Sequence, residues 1–411
     1  MKDMDISKTV FGNGLTLITV CRESDIFSIG VGIKAGSLLE DEDNNGISHL
    51  VEHMLFKGTS KRDMAALNSD IEKLTGDIDI YTTYHQTVLN ASVMKNRAEQ
   101  IIEIISDMLM NSAFPRREFN LEKKVISEEI KMEKDDCENA AYSGLYKTVF
   151  KENWYKYNIT GTRKTLMHLK RDAAKKFYKE NYVPGNVCIC TASSFPHEQM
   201  AAMVYKYFGG WHGEKTKQIV SIPRDFSNRK VLRHKKGITQ SHIVYGFDIN
   251  SLDKKERIAL ALLNKKFGSG PNSVLFRELR DLKGYAYNVY SDIDFIPEIR
   301  MLYIYAAVSC ENLKNSLNII DSIVDRFSAG NIYLNEGNLR MIKDMFITEI
   351  EIAMESSEQM IDYLLEGQLN YNNPKEYEKD LSIMEDVHIE DLKNTAKQVL
   401  QKPVIYILNR S

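Results

Sequence analysis

The order of segments along this chain occurs twice. A helix-forming run from Arg257 to Phe267 ends in Gly268-Ser269-Gly270, as an earlier run from Ile47 to Phe56 ends in Lys57-Gly58. A helix from Ile389 to Leu400 leads into an apolar strand, Val404 to Leu408, as Asp172 to Asn181 leads into Val187 to Thr191. The offsets are 211 residues from Phe56 to Phe267 and 217 from Val187 to Val404. A chain of 411 residues with this repeat is expected to form two related α/β domains, each of about 200 residues and each with its own core. The expected boundaries are 1–215 for the first domain, 216–230 for a linker and 231–411 for the second. Further helices are expected at Met64 to Leu74, Arg97 to Met110 and Arg117 to Lys134. Branched and aromatic residues predict strands at Gly14 to Val20, Phe27 to Ile33 and Ile78 to Val93.

Composition narrows the function classes. With 43% hydrophobic and 27% charged residues, the chain is too apolar for disorder. A net charge of −3 gives no reason to expect nucleic acid or an anionic membrane as partner. Five scattered cysteines, an odd number, argue against a disulfide framework and for a reducing compartment. The acidic start Met-Lys-Asp-Met-Asp is unlike a signal peptide, and no 18-residue apolar run is present. A soluble, cytoplasmic protein is therefore expected.

The stretch with most chemical content is His49-Leu50-Val51-Glu52-His53. On a helix, His49 and His53 share one face and Glu52 lies beside them. Two imidazoles so placed can grip one metal ion, and the carboxylate can act on a water next to it. This is the inverted form of the H-E-x-x-H zinc signature. The same spacing would also suit a merely polar helix face. A catalytic zinc needs a third protein ligand. Glu122, Glu128 and Glu129, on the helix Arg117 to Lys134, are the candidates. Glu122 and Glu129 share a face and Glu128 is rotated off it, although this charged helix would look similar on a solvated surface.

With Ala35-Gly36-Ser37 and the run Gly46 to Thr59 added, the sequence resembles the pitrilysin/insulinase family of inverted zinc peptidases, in the subgroup similar to mitochondrial processing peptidase. The resemblance implies an α+β fold of two related α/β domains, each a mainly antiparallel sheet packed with helices, forming half of a metallopeptidase clamshell. It implies one zinc ion per chain on His49, His53 and Glu129, with Glu52 as general base and Glu122 as support for the ligands. It further implies that Arg280 and Tyr287, within Leu275 to Tyr287, contact the substrate backbone and the developing oxyanion. Read without it, Arg280 is a surface charge and Tyr287 a core aromatic. At the 211 offset His49, Glu52 and His53 map to Leu260, Leu263 and Asn264, so the second half has no metal site of its own.

Two departures from the family pattern stand out. Asp79-Ile80 replaces the usual Asn-Ala on the strand expected to pair with peptide, so Asp79, Ile80, Tyr81 and Thr82 are substrate-binding candidates. Gly268-Ser269-Gly270-Pro271 and Val274 depart from a more glycine-rich loop and a common basic residue. Cys188 and Cys190 read as core thiols, and the seven histidines outside the motif show no ligand spacing. The expectation is a zinc endopeptidase or oligopeptidase acting on short or unfolded peptides in an enclosed chamber formed by a homodimer. The alternatives are the catalytic half of a precursor-processing heterodimer and a non-catalytic scaffold subunit.

Overall fold

A computed structural model describes residues 5–150, 154–214, 224–296 and 299–411. Its eleven strands are β1 (Asp5–Val10), β2 (Thr16–Cys21), β3 (Ile26–Ile33), β4 (Asp77–Thr82), β5 (Thr87–Met94), β6 (Val187–Ser193), β7 (Arg229–Lys235), β8 (Gln240–Asp248), β9 (Ala286–Asp294), β10 (Met301–Ser309) and β11 (Val404–Arg410). They form one sheet in the order β1-β2-β6-β3-β5-β4 and another in the order β7-β11-β8-β10-β9. In the first, β2 and β6 are parallel and every other pair is antiparallel. In the second, β7 and β11 are the parallel pair. Without β1, the first sheet therefore has the order and pairing senses of the second, which is the repeat expressed as topology.

The helices that matter in the first half are α1 (Ile47–Leu55), α2 (Met64–Glu72), α3 (Ala98–Asn111), α4 (Arg116–Asp135), α5 (Cys137–Val149) and α6 (Arg171–Asn181). In the second half they are α7 (Lys254–Phe267), α8 (Leu313–Ser328), α9 (Ser357–Tyr371) and α10 (Ile389–Val399). On one face of the first sheet, Phe27, Ile29, Val31 and Ile33 of β3 enter a core with Leu50 and Met54 of α1, Ile101 and Ile105 of α3 and Ile126 of α4. The second core joins Ile243, Tyr245 and Phe247 of β8 to Leu260 and Leu263 of α7 and to Ile320 of α8.

The two compact units are not continuous in sequence. One comprises 1–131, 157–220 and 351–377; the other comprises 132–156, 221–350 and 378–411. This differs from the expected split at 216–230, of which residues 216–223 lie outside the described residues. The physical reason is the second face of each sheet. Central strands β3 and β6 are buried along both faces, and the covering helix comes from the other half of the sequence. On β3, Gly30 and Gly32 admit α9: a Cβ on Gly30 would lie 2.3 Å from Ile361 Cγ2, and one on Gly32 would lie 2.6 Å from Leu369 Cδ1. Cys188 and Cys190 pair with Gly32 and Gly30 on this same buried face, where burial raises both thiol pKa values. In the other unit α5 does the matching job, with Gly144 against the Tyr406 ring. Its polar side is tied down by hydroxyls: Tyr142 donates to Tyr290 at 3.0 Å, Tyr290 to Glu138 at 2.5 Å, and Tyr146 bonds Tyr303 at 2.7 Å.

Most expected elements occur with ends shifted by a few residues. The expected single strand Ile78 to Val93 is instead a hairpin, β4 and β5, turning at 83–86. That turn holds the Ala35-Gly36-Ser37 stretch: Ser37 N and Leu38 N donate to Thr83 O and Tyr84 O at 3.2 and 2.9 Å. A Cβ on Gly36 would lie 2.5 Å from both of those carbonyl oxygens, so the close approach requires glycine.

Candidate metal centre

The motif helix α1 starts at Gly46, whose φ of +95° is the left-handed conformation that glycine adopts readily. Its first N–H groups have no intrahelical acceptor. The buried carboxylate of Glu40 supplies one: Oε2 accepts from Gly46 N at 2.8 Å and Asn45 Nδ2 at 2.9 Å, and Oε1 accepts from Ser48 N at 2.9 Å. Burial pushes the Glu40 pKa up to about 7, with these hydrogen bonds pulling the other way. The sequence offered no local sign of this arrangement, because Glu40 stands six residues before Gly46 and outside any capping-box spacing. At the other end, Gly58 with φ +109° ends the run.

Ile47, Leu50, Val51, Met54 and Leu55 anchor α1 in the core, which leaves His49, Glu52 and His53 on the face toward α4 and β4. The rings of His49 and His53 meet edge to face, 4.6 Å between centroids. Glu122 and Glu129 approach from α4. His53 Nδ1 lies 2.9 Å from Glu122 Oε2, and His53 Nε2 lies 3.6 Å from Glu129 Oε2. Glu122 Oε1 also receives Lys57 Nζ at 3.1 Å, a contact the sequence did not announce. Glu128 points away and pairs with Lys131 at 2.7 Å.

This donor set fits a zinc ion. One ligand atom each from His49, His53 and Glu129 lies within 4.8 Å of the other two, and theirs is the one such group among the described residues. The 3.6 Å gap between His53 Nε2 and Glu129 Oε2 is too long for a good hydrogen bond. It is close to the roughly 3.3–3.5 Å expected between two tetrahedral zinc ligands at bond lengths of about 2.0–2.2 Å. His49 Nδ1 and Glu52 Oε2 are buried polar atoms without a hydrogen-bond partner, a costly condition unless something is bound there.

Electrostatics agree with the ligand roles. Burial, with the neighbouring His53, lowers the His49 pKa to about 4, which keeps the ring neutral as a metal ligand requires. Burial alone would lower the His53 pKa as well, but the carboxylates of Glu122, Glu129 and Glu52 outweigh it and the net shift is upward. Burial raises Glu52 to about 7 against the pull of a Thr82 hydrogen bond and His53, with Glu129 and Asp79 adding to the rise. For Glu122, hydrogen bonds from His53 and Lys57 overcome burial and lower its pKa.

The substrate-strand candidates lie on β4, an edge strand with one side unpaired. Alternation sorts them: Ile80 and Thr82 face the motif helix, and Asp79 and Tyr81 face the opposite way. Arg280 and Tyr287 belong to the other unit. Arg280 sits in a π-helical turn, Arg277–Asp281, its guanidinium 4.9 Å from the Phe276 ring centre. Tyr287 is on edge strand β9 and is 74% exposed, so it is not a core aromatic. At the positions that match the motif, Leu260 and Leu263 are buried in the second core and Asn264 donates to Ser291 O at 3.2 Å.

Sequence comparisons agree with this geometry. Residues 18–163 match the family profile described as insulinase, peptidase family M16, and residues 168–345 match the one described as peptidase M16 inactive domain. The chain belongs to this family of zinc-protease homologues. It is 26% identical to an uncharacterized zinc protease, ML0855, of Mycobacterium leprae, over 97% of this chain and 90% of that one. It is 27% identical to the uncharacterized zinc protease YmxG of Bacillus subtilis, over 90% of each. In fold it is similar to a protease from Helicobacter pylori, with a TM-score of 0.90, 19% identity and 99% of both chains covered. A Pseudomonas fluorescens structure described as a peptidase M16 inactive domain gives a TM-score of 0.88 at 18% identity, covering 99% of this chain and 98% of that one. No helix among the described residues is long and apolar enough to cross a membrane.

Proposed function

We propose that this chain is a zinc-dependent peptidase that cleaves short or unfolded peptides bound as an added strand along β4. The observation that carries the reading is the approach of one ligand atom each from His49, His53 and Glu129 to within 4.8 Å of one another, in a chain of this family. His49, His53 and Glu129 would hold one zinc ion, with Glu122 fixing the ring of His53 through Nδ1. The ion, when bound, supplies Lewis acidity toward water and toward a peptide carbonyl. Glu52 takes a proton from the attacking water and returns it to the leaving amine. The open edge of β4 supplies backbone hydrogen bonds to an extended peptide. Arg280 and Tyr287 serve as donors to the substrate backbone and the oxyanion. The chain acts as a homodimer in the cytoplasm.

The test is zinc content together with hydrolysis of a fluorogenic peptide. Glu52→Gln should retain about one zinc per chain and lose hydrolysis by a factor of at least about 10³, the size of a general-base contribution combined with orientation of water. A Glu52→Gln chain that hydrolyses as fast as wild type would remove Glu52 from the mechanism. Mixing Glu52→Gln with Tyr287→Phe chains tests the dimer, since restored hydrolysis requires each chain to supply what the other lacks.

A further inference from the structure

The second unit carries a cavity of about 440 Å³ that the proposed chemistry does not use. It lies between the end of α7, the π-helical turn Arg277–Asp281 and α8. Four cations line it: Lys266, Arg277, Lys283 and Arg326. One carboxylate, Glu278, faces them and is paired with Arg326 at 2.7 Å. Among the described residues Lys266, Arg277 and Lys283 form no ion pair. The cavity therefore holds three uncompensated positive charges. Its floor is apolar, built from Val274, Ile319 and the buried Phe327, and the 85% exposed Tyr333 stands in its wall. Uncompensated cations around an apolar floor select a ligand with an anionic group joined to an apolar body.

We propose that this cavity binds the C-terminal carboxylate of a peptide together with its last, large apolar side chain. Capture of a terminal carboxylate is an established way of recognising peptide ends. A fatty acid would share the charge and the apolar body. The lining also carries Asn331 and the Glu278 carboxylate, which offer partners to peptide amides and have none in an alkyl chain. The choice of a peptide as the source rests on the peptidase reading above. The location also gives the site a consequence. Arg277 and Lys283 bracket the turn that carries Arg280, and Leu282 N donates to Arg277 O at 3.0 Å to close its wide ring. π-Helical turns of this kind recur at functional sites. A bound carboxylate would fix that turn, and through Gly284, at φ +64°, the start of the strand bearing Tyr287. The cavity is thus an anchor for peptide tails that orders the Arg280 and Tyr287 segment.

Calorimetric titration of the zinc-loaded Glu52→Gln chain tests this without turnover. The probes are acetyl-Gly-Leu-Phe with a free carboxylate, the same peptide as its C-terminal amide, and dodecanoate. The free acid should bind at least about tenfold more tightly than the amide, a difference of about 1.4 kcal/mol. Arg277→Ser combined with Lys283→Ser should abolish that preference, and added salt should weaken it. Both side chains are exposed, and an unchanged thermal melt shows that the fold is kept. Equal binding of acid and amide, or an acid preference that survives the double substitution, overturns the proposal. Dodecanoate binding more tightly than the peptide and displacing it overturns the peptide as source. No hydrolysis is read, so failure here leaves the metal-site reading standing. If neither wild type nor Glu52→Gln hydrolyses peptide, this acid-against-amide comparison is still readable.

Discussion

His53 has a carboxylate at each ring nitrogen, and the two distances assign them different work. Glu122 at 2.9 Å from Nδ1 is a hydrogen-bond partner, whereas Glu129 at 3.6 Å from Nε2 has the separation of a second ligand. Glu122 is also the partner of Lys57, so its removal frees the ring and strands a half-buried cation. Glu122→Ala should weaken zinc affinity by about 10–100-fold, read by competition with a chelator of known affinity. Glu122→Gln keeps an acceptor for His53 and should lose less; equal zinc affinity in wild type and both variants would remove Glu122 from the centre. His85 gives a separate prediction. It lies in the turn that receives Gly36 and Ser37, and burial lowers its pKa from 6.5 to about 4. The unfolded chain takes up a proton near pH 6.5, and the folded chain does so only near pH 4. The stability contributed by neutral His85 is therefore complete above pH 6.5 and is lost as pH falls toward 4, by on the order of 3 kcal/mol. Melting temperatures measured from pH 7.5 to 4.5 should fall less steeply for His85→Gln than for wild type.

At the scale of elements, β4 separates two environments. Ile80 and Thr82 face the motif helix, while Tyr81, on the other side, feels the carboxylates of Asp362, Glu366, Asp79 and Glu358. After burial itself, these negative charges are what push the tyrosine pKa up to about 12. A peptide lying along this edge would place alternate side chains over an acidic surface. Peptides with lysine at those positions should have a kcat/KM several-fold above their glutamate counterparts at low salt, and Asp79→Asn should shrink the ratio, since one fewer carboxylate acts at that edge. A ratio untouched by Asp79→Asn and by salt would mean that peptide does not lie along this edge. The strand itself was legible from its branched and aromatic residues, but its end was not. Thr83-Tyr84-His85-Gln86 contains no glycine, proline or asparagine, so the turn carries no local signature. The helix α5 was likewise silent, because its covering face is built around Gly144 and tyrosines rather than a plain aliphatic stripe. The metal ligands were legible for the opposite reason. Their chemistry demands fixed residue types at i and i+4 on one helix. Glu40 and Lys57 act through tertiary contacts that no short spacing encodes.

For the molecule as a whole, duplication explains the two sheets, and the exchange of α5 and α9 explains why the two compact units differ from the expected split at 216–230. An amphipathic helix announces that one face will be buried, not which sheet will bury it. In this chain α9 covers β3 and β6 from more than 150 residues away in sequence, and its fit depends on two bare positions, Gly30 and Gly32. A fragment 1–215 would keep every strand of the first sheet but leave the Gly30, Gly32, Cys188 and Cys190 face open to water. An uncovered apolar sheet face of this kind favours aggregation. Fragment 1–215 expressed alone should be insoluble, and co-expression with 216–411 should recover a soluble complex. Gly30→Val offers the same test in the intact chain. Its side chain would enter the space of Ile361, Asn90 and Leu365, which should cost about 1–3 kcal/mol of stability. A 1–215 fragment that is monomeric and melts at the temperature of the full chain would show that α9 is not needed to complete the first unit. The same result would make the continuous division at 216–230 the better description of how this chain folds.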